Sequence, residues 1–137
     1  MTEILNMQVF GDPKYIEVSK MAVGSIAAIN EFDLERVDDV QVAIGEACKA
    51  ITCHEHEMWS AKYQVVAELN DNGSEMVVTV NAVAADHCIS KDLTRRPCMD
   101  CPNEGAIGIY VIKSLVDDVE IVRQNDGCNK IRMVIKK

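Results

Sequence analysis

The sequence predicts an α+β two-layer sandwich, a mostly antiparallel mixed sheet with three helices on one face. Three observations carry that expectation. Short apolar runs bounded by turn residues recur at the start, middle and end of the chain, which is the signature of strands. Between them, apolar residues recur every three or four positions over longer stretches, which is the signature of helices. The resulting order, β-α-α-β-β-loop-α-β-β, places helices together on one side of a largely antiparallel sheet. At 137 residues, the whole chain, residues 1–137, is expected to be a single domain.

Residues Ile4 to Phe10 alternate loosely and read as the first strand, ended by Gly11-Asp12-Pro13. Asp12 is placed to cap the next element, with Pro13 at its first position, where a missing amide proton costs nothing. Ile16, Val23, Ile26 and Ala27 then mark one amphipathic helix over residues 13–30. In the second helix Val37, Val40, Ile44, Ala47 and Ile51 step by three and four and form one stripe for burial, leaving Gln41, Glu46 and Lys49 on other faces.

Tyr63 to Leu69 and Glu75 to Val83 read as an antiparallel hairpin across Asn70-Asp71-Asn72-Gly73, whose last two residues suit positive φ. Residues 84–104 lose periodicity and read as a long loop, with Lys91, Arg95 and Arg96 opposite in sign to the chain as a whole. After Gly105 and Gly108, the residues Ile109, Ile112, Leu115 and Val116 recur at helical spacing. Strands at Val119 to Arg123 and Lys130 to Ile135 complete the order.

Composition removes several function classes. With 14 basic against 22 acidic residues the formal charge is −8, which disfavours a nucleic-acid partner whose phosphates would have to be neutralised. No apolar run approaches the roughly 18 residues of a membrane span, and Met1 to Gln8 lack the order of a secretory signal, so a cytoplasmic protein without a membrane partner is expected. In that compartment the six cysteines are expected to be thiols serving as core residues or metal ligands, not a disulfide framework.

Two segments carry a family resemblance. Val37 to His56, VDDVQVAIGEACKAITCHEH, and Gly105 to Ile121, GAIGIYVIKSLVDDVEI, resemble the anti-sigma serine kinases of the histidine-kinase-like ATPase superfamily, in the family's order and separation. In that family a helix carries Glu-Ala-x-x-Asn followed by a His-Gly pair. The glutamate is the general base and the asparagine helps hold the magnesium ion on the nucleotide. By that resemblance Glu46 is the base, Ala47 matches the alanine, Ala50 stands at the asparagine position and His54 matches the histidine.

The family's Asp-x-Gly-x-Gly, which receives adenine, corresponds here to Val80-Asn81-Ala82-Val83-Ala84-Ala85, without glycine and without an aspartate in register. Asn81 and Ala82 are the residues placed at the nucleotide, and Cβ atoms there oppose the close backbone approach that glycine permits. In the second glycine motif, where amides at a helix start cradle phosphate, Gly108 keeps one glycine, Ala106 replaces another, and Gly105 lies beside them. Glu104 replaces a basic residue common before that motif, and Gly127-Cys128-Asn129 replaces a terminal Gly-Thr.

A second chemistry competes for the same region. Cys98-Met99-Asp100-Cys101 has the spacing of a metal knuckle, and His54 offers an imidazole, so Cys98, Cys101 and His54 form a candidate zinc site beside the former nucleotide pocket. Cys48 reads as a small apolar group of the second helix, Trp59 and Tyr110 as packing residues, and Glu31, Asp33, Glu35, Asp38 and Asp39 as a solvated face.

The resemblance therefore implies an anti-sigma-factor-like regulatory protein, a weak or inactive serine kinase acting through protein binding. Its implied partners are a sigma factor or an anti-sigma antagonist, and its implied assembly is a homodimer. ATP and magnesium are implied in weakened form. Two alternatives stay open: an active ATP-dependent protein-serine kinase, and a metal-binding regulatory module.

Overall fold

A computed structural model of the chain describes residues 1–52, 62–82, 106–123 and 129–137. Strand β1, Thr2–Phe10, leads through a 3-10 turn at Pro13–Tyr15 into α1, Ile16–Ile29, and α2, Leu34–Thr52. Then come β2, Lys62–Leu69, β3, Glu75–Ala82, α3, Ala106–Leu115, β4, Asp118–Arg123, and β5, Asn129–Lys136. The sheet order is β1-β2-β3-β5-β4, and each of these ladders is antiparallel. The sequence order of elements matches the expectation, with boundaries shifted by a few residues.

The core follows from strand alternation. Val65, Val80 and Ile131 are cross-strand neighbours, as are Ala67, Val78 and Met133, and all six are buried. Successive residues of a strand point to opposite faces, so this row lies under the helices while Gln64, Thr79 and Arg132 lie on the other face. The helices supply the matching surface: Val23 and Ala27 from α1, Val40, Ile44, Ala47 and Ile51 from α2, and Ile112 from α3 are buried against it. The stripe expected in α2 is thus the buried one, with Val37 partly covered.

Local chemistry sets the joints. Asp12 caps the 3-10 turn as expected, its Oδ1 accepting from the Lys14 amide at 3.1 Å. Asp33 does the same for α2, accepting from the Arg36 amide at 2.8 Å. Helix α1 ends in a Schellman arrangement, with the Phe32 amide bonded to the Ala27 carbonyl and the Glu31 amide to the Ala28 carbonyl, both at 3.1 Å. That motif wants glycine at its left-handed position, yet Glu31 occupies it at φ 65.

At the β2–β3 turn only Gly73, at φ 70, is left-handed. Asn72 was expected to share that conformation and does not. Instead Asn70 Oδ1 accepts from the amides of Ser74 and Glu75 at 2.9 and 3.0 Å, an Asx-type arrangement that closes a longer connection. Between α1 and α2, a Cβ at Gly24 would lie 2.6 Å from Gln41 Nε2, so the bare backbone is what lets that side chain lie across α1.

Two polar networks join distant segments. Ser19 of α1 and Tyr63 of β2, both fully buried, share a 3.0 Å hydrogen bond, and the Cys48 thiol of α2 is hydrogen-bonded into the same group. On the far side, Arg36 Nε donates to the Lys136 carbonyl at 2.8 Å and Nη1 to the Leu115 carbonyl at 2.7 Å. Arg36 also pairs with Asp39 and Asp117. The acidic stretch that leads into and opens α2 is therefore only partly a solvated face, since Asp33 caps and Asp39 pairs. Tyr110 departs from expectation: it is 68% exposed, with the Lys113 ammonium 5.8 Å from its ring, because the apolar side of α3 is already filled by Ile109 and Ile112.

Candidate functional site

Glu46 is the one buried carboxylate among the described residues, 8% exposed. It sits in α2, one turn below Val42 and beside Gly45, where the helix turns its polar edge toward α1. Its Oε1 accepts from Lys49 Nζ at 3.2 Å. Its Oε2 is shielded from solvent and has no hydrogen-bond partner among the described residues.

Glu46 and Lys49 line a cleft of about 310 Å³ between the 3-10 turn, α1 and α2. The opposite wall carries Pro13, Lys14, Ile16, Glu17 and Lys20. Each ammonium has an acidic neighbour: Lys14 lies 3.9 Å from Asp12, Lys20 lies 3.5 Å from Glu17, and Lys49 lies 3.2 Å from Glu46. The charges along the cleft are therefore closely paired.

Successive helical residues turn by about 100°. Val42, Gly45 and Lys49 consequently lie on one side of Glu46, facing the cleft, and Ala43, Ala47 and Ala50 lie on its other side, in the core. Ala50 is 3% exposed and contributes a methyl group there.

The remaining nucleotide candidates are dispersed. Asn81 stands across from Gln64 and Lys130 in the sheet, in the row with Thr79 that lies on the face away from the helices, so the structure does not bring it to Glu46. Ala82 stands opposite Tyr63 in the β2–β3 ladder. Gly108 is buried inside the first turn of α3, and α3 packs on α2. It lies within the helix, not in the turn leading to it. His54, Cys98, Cys101 and Gly105 lie outside the described residues, as do Trp59 and the basic residues Lys91, Arg95 and Arg96. Among the described residues no group of three or more His, Cys, Asp or Glu is placed to hold a metal ion.

Cys48 is buried, as its place on the apolar side of α2 implies. Burial pushes its thiol up to about 11, against hydrogen bonds from Tyr63 and Ser19 that lower it. The Tyr63 phenol is likewise driven far above its ordinary value, chiefly by burial. A thiol held protonated in this way is a poor nucleophile at neutral pH.

The sequence matches the family described as histidine kinase-like ATPase domain over residues 11–135. The chain belongs to that family. Among curated relatives, the serine-protein kinase RsbW of Bacillus thuringiensis (strain Al Hakam) is 25% identical over 130 residues, covering 88% of this chain and 78% of the relative. The same figures hold for RsbW of Bacillus cereus (strain AH820) and of Bacillus anthracis. The solved structure of the RsbU and RsbW domains of a Mycobacterium tuberculosis protein superposes with a TM-score of 0.64 at 13% identity. That match covers 97% of this chain and 32% of the other, so this chain spans about a third of that protein's length, and the likeness is one of fold.

Whether the family's magnesium and nucleotide fit this member turns on Glu46 and Ala50. Magnesium demands near-octahedral oxygen coordination. Here the asparagine position is a buried methyl, and the single carboxylate has an ammonium 3.2 Å away, which opposes a dication. The described residues do not fit a magnesium ion held in the family's manner, and Asn81 does not face the helix that carries Glu46.

Sequence reasoning singled out Glu46 and Ala50 but missed Lys14 and Lys20. Their signal was the Lys14, Glu17, Lys20 spacing of three, which places one charged row on one side of a helical stretch. No local pattern, however, says that this row faces Glu46.

No helix among the described residues is long and apolar enough to cross a membrane.

Proposed function

We propose that this family member is an anti-sigma-type regulatory protein that acts by binding a protein partner, a sigma factor or its antagonist, with phosphoryl transfer weak or absent. The observation that carries this reading is the buried methyl of Ala50 beside Glu46, with Lys49 paired to the same carboxylate. The general base of the family is kept, while the group that would steady a metal-bound triphosphate next to it is gone. Similarity to RsbW along most of the chain supports the class of partner, and a homodimer is part of the same proposal.

The test has two arms. Calorimetry with ATP and magnesium on the dialysed protein is expected to show binding no tighter than about 1 mM, worth roughly 4 kcal/mol. Titration of a candidate sigma factor in nucleotide-free buffer is expected to give a stable complex. A partner complex that forms only with ATP and magnesium, or serine phosphorylation at the ordinary kinase rate of roughly 1–100 per second, would refute the reading. Light scattering of the purified chain tests the dimer.

A further inference from the structure

Strand β1 closes one side of the described sheet and is bonded there to β2 alone. Its outer row of main-chain amides and carbonyls has no strand beside it. Such edges are ordinarily blunted by lysine or proline. The nine residues TEILNMQVF contain neither, and the one irregularity is a bulge between Glu3 and Leu5.

Helix α1 runs alongside that edge. Near its start Ser19 is bonded to Tyr63, which stands opposite Val9 of β1, and past its end Asn30 lines one cavity with Ile4 of β1. The side of α1 toward α2 is marked by Gly24, against Gln41, and by Lys20, against Gly45. At about 100° per residue, Val18, Ala22, Ser25 and Ile29 fall on the opposite side, with the four-three-four spacing of a helix seam. Val18 is 51% and Ile29 78% exposed, and none of the four is charged. An uncharged helical seam and an open strand edge thus share one side of the molecule.

A second copy of the chain fits this side better than an unlike partner. Each copy carries a charge of −8, so two copies repel unless they meet on uncharged surface. An antiparallel pairing about the middle of β1 is self-complementary, as a two-fold axis requires. It lays the start of each β1 beside the end of the other. The start carries Glu3, the one charge of the strand, and the end carries Phe10 with Lys62 Nζ 5.5 Å from its ring. Within one chain Glu3 stands opposite Glu68 and Phe10 opposite Lys62, which separates Glu3 from Lys62 by roughly 20 Å. Between antiparallel copies the two charges meet. A strand of this length spans about 30 Å, and the strand and helix layers are each about 10 Å deep, so the face offers on the order of 600 Å² per copy, within the range of specific interfaces.

We infer that this face joins two copies of the chain, with antiparallel β1 edges continuing the sheet, the α1 seams packed together, and Glu3 of each copy paired with Lys62 of the other. The inference rests on the homodimer proposed above and assigns its face.

Sedimentation equilibrium of the full chain at low salt tests it, and the wild type is expected to be a dimer. Val18→Arg sets like charges into the seam of both copies and is expected to weaken dimerisation by about tenfold or more. Glu3→Lys and Lys62→Glu are each expected to weaken it by about threefold or more, because the two-fold repeats the lost pair. The double variant is expected to return to within about twofold of the wild type. That recovery reports a contact between copies, since the two residues lie at opposite ends of the ladder in one chain, and it keeps the test decisive if Val18→Arg does not fold. A monomeric wild type overturns the homodimer and its face together. A dimer that shows no charge-swap recovery, or that Val18→Arg leaves intact, overturns the face alone. A candidate sigma factor whose binding is lost in Val18→Arg while the dimer persists assigns the face to that partner and likewise overturns the inference.

Discussion

Replacing Arg36 by alanine should loosen the whole edge at which α2, α3, β4 and β5 meet. The guanidinium donates to two main-chain carbonyls, Lys136 at 2.8 Å and Leu115 at 2.7 Å, and pairs with Asp117. Asp117 Oδ2 in turn accepts from the Lys136 amide at 2.7 Å. The Leu115 carbonyl is an end-of-helix group with no intrahelical partner, and charged donors to such carbonyls contribute about 1–1.5 kcal/mol each when partly shielded. The Asp117 pair, 20% and 36% exposed, adds about 0.5 kcal/mol after discounting for solvent.

The expected loss for Arg36→Ala is about 2–4 kcal/mol. For a domain of this size that lowers the melting midpoint by roughly 10 °C. Equilibrium urea unfolding, with calorimetry as a second probe, measures it. Arg36→Lys keeps the charge but has one head for three acceptors in different directions, so it should retain no more than about half of the stabilisation. An Arg36→Ala protein within about 0.5 kcal/mol of the wild type would refute the reasoning, because it would mean that water replaces these bonds at no cost.

Three further perturbations probe the buried polar groups and the end of α1. Tyr63→Phe removes a hydroxyl from a site where Ser19 is fully buried, so it should cost about 1–2 kcal/mol in urea unfolding, and Ser19→Ala a similar amount. The Cys48 thiol, raised by burial from 9.0 to about 11, favours the fold while protonated. That contribution is complete below about pH 9 and is lost as pH rises through about 11, a decline of roughly 2–3 kcal/mol. Denaturation midpoints measured between those limits, with Cys48→Ala as the control that should reduce the decline and leave the part due to the buried Tyr63 phenol, check the sign. Glu31→Gly relieves a left-handed residue at φ 65 and should stabilise by about 0.5–1 kcal/mol, read as a raised urea midpoint with an unchanged slope.

The elements were legible because burial of one face leaves a local period in the chain. Val40, Ile44, Ala47 and Ile51 announce α2 without reference to anything outside it, and all four are buried. Asp12 and Pro13 announce a helical start for the same reason, since capping joins neighbours in sequence. The β2–β3 connection was legible as a turn but not in its geometry. Asn70 side-chain bonds to Ser74 and Glu75 compete with the conformation expected of Asn72, and both choices are open to the same residue types.

Glu46 could be named from its motif, and the methyl at Ala50 could be read as a missing oxygen. Those are statements about residue identity, which the chain carries in plain order. The apolar periods also determined the sandwich itself, because a stripe or a strand face must be covered and the element order leaves few ways to do so. Only the tertiary structure decided that Lys14 and Lys20 face Glu46 across a cleft, that Asn81 lies in a sheet row turned away from the helices, and that Ser19 meets Tyr63 at a sequence separation of 44. Arg36 reaches carbonyls 79 and 100 positions away. A hydrophobic pattern specifies which face is buried and is indifferent to which polar atom it brings against another, so polar partners chosen across such separations exist only once the layers have packed.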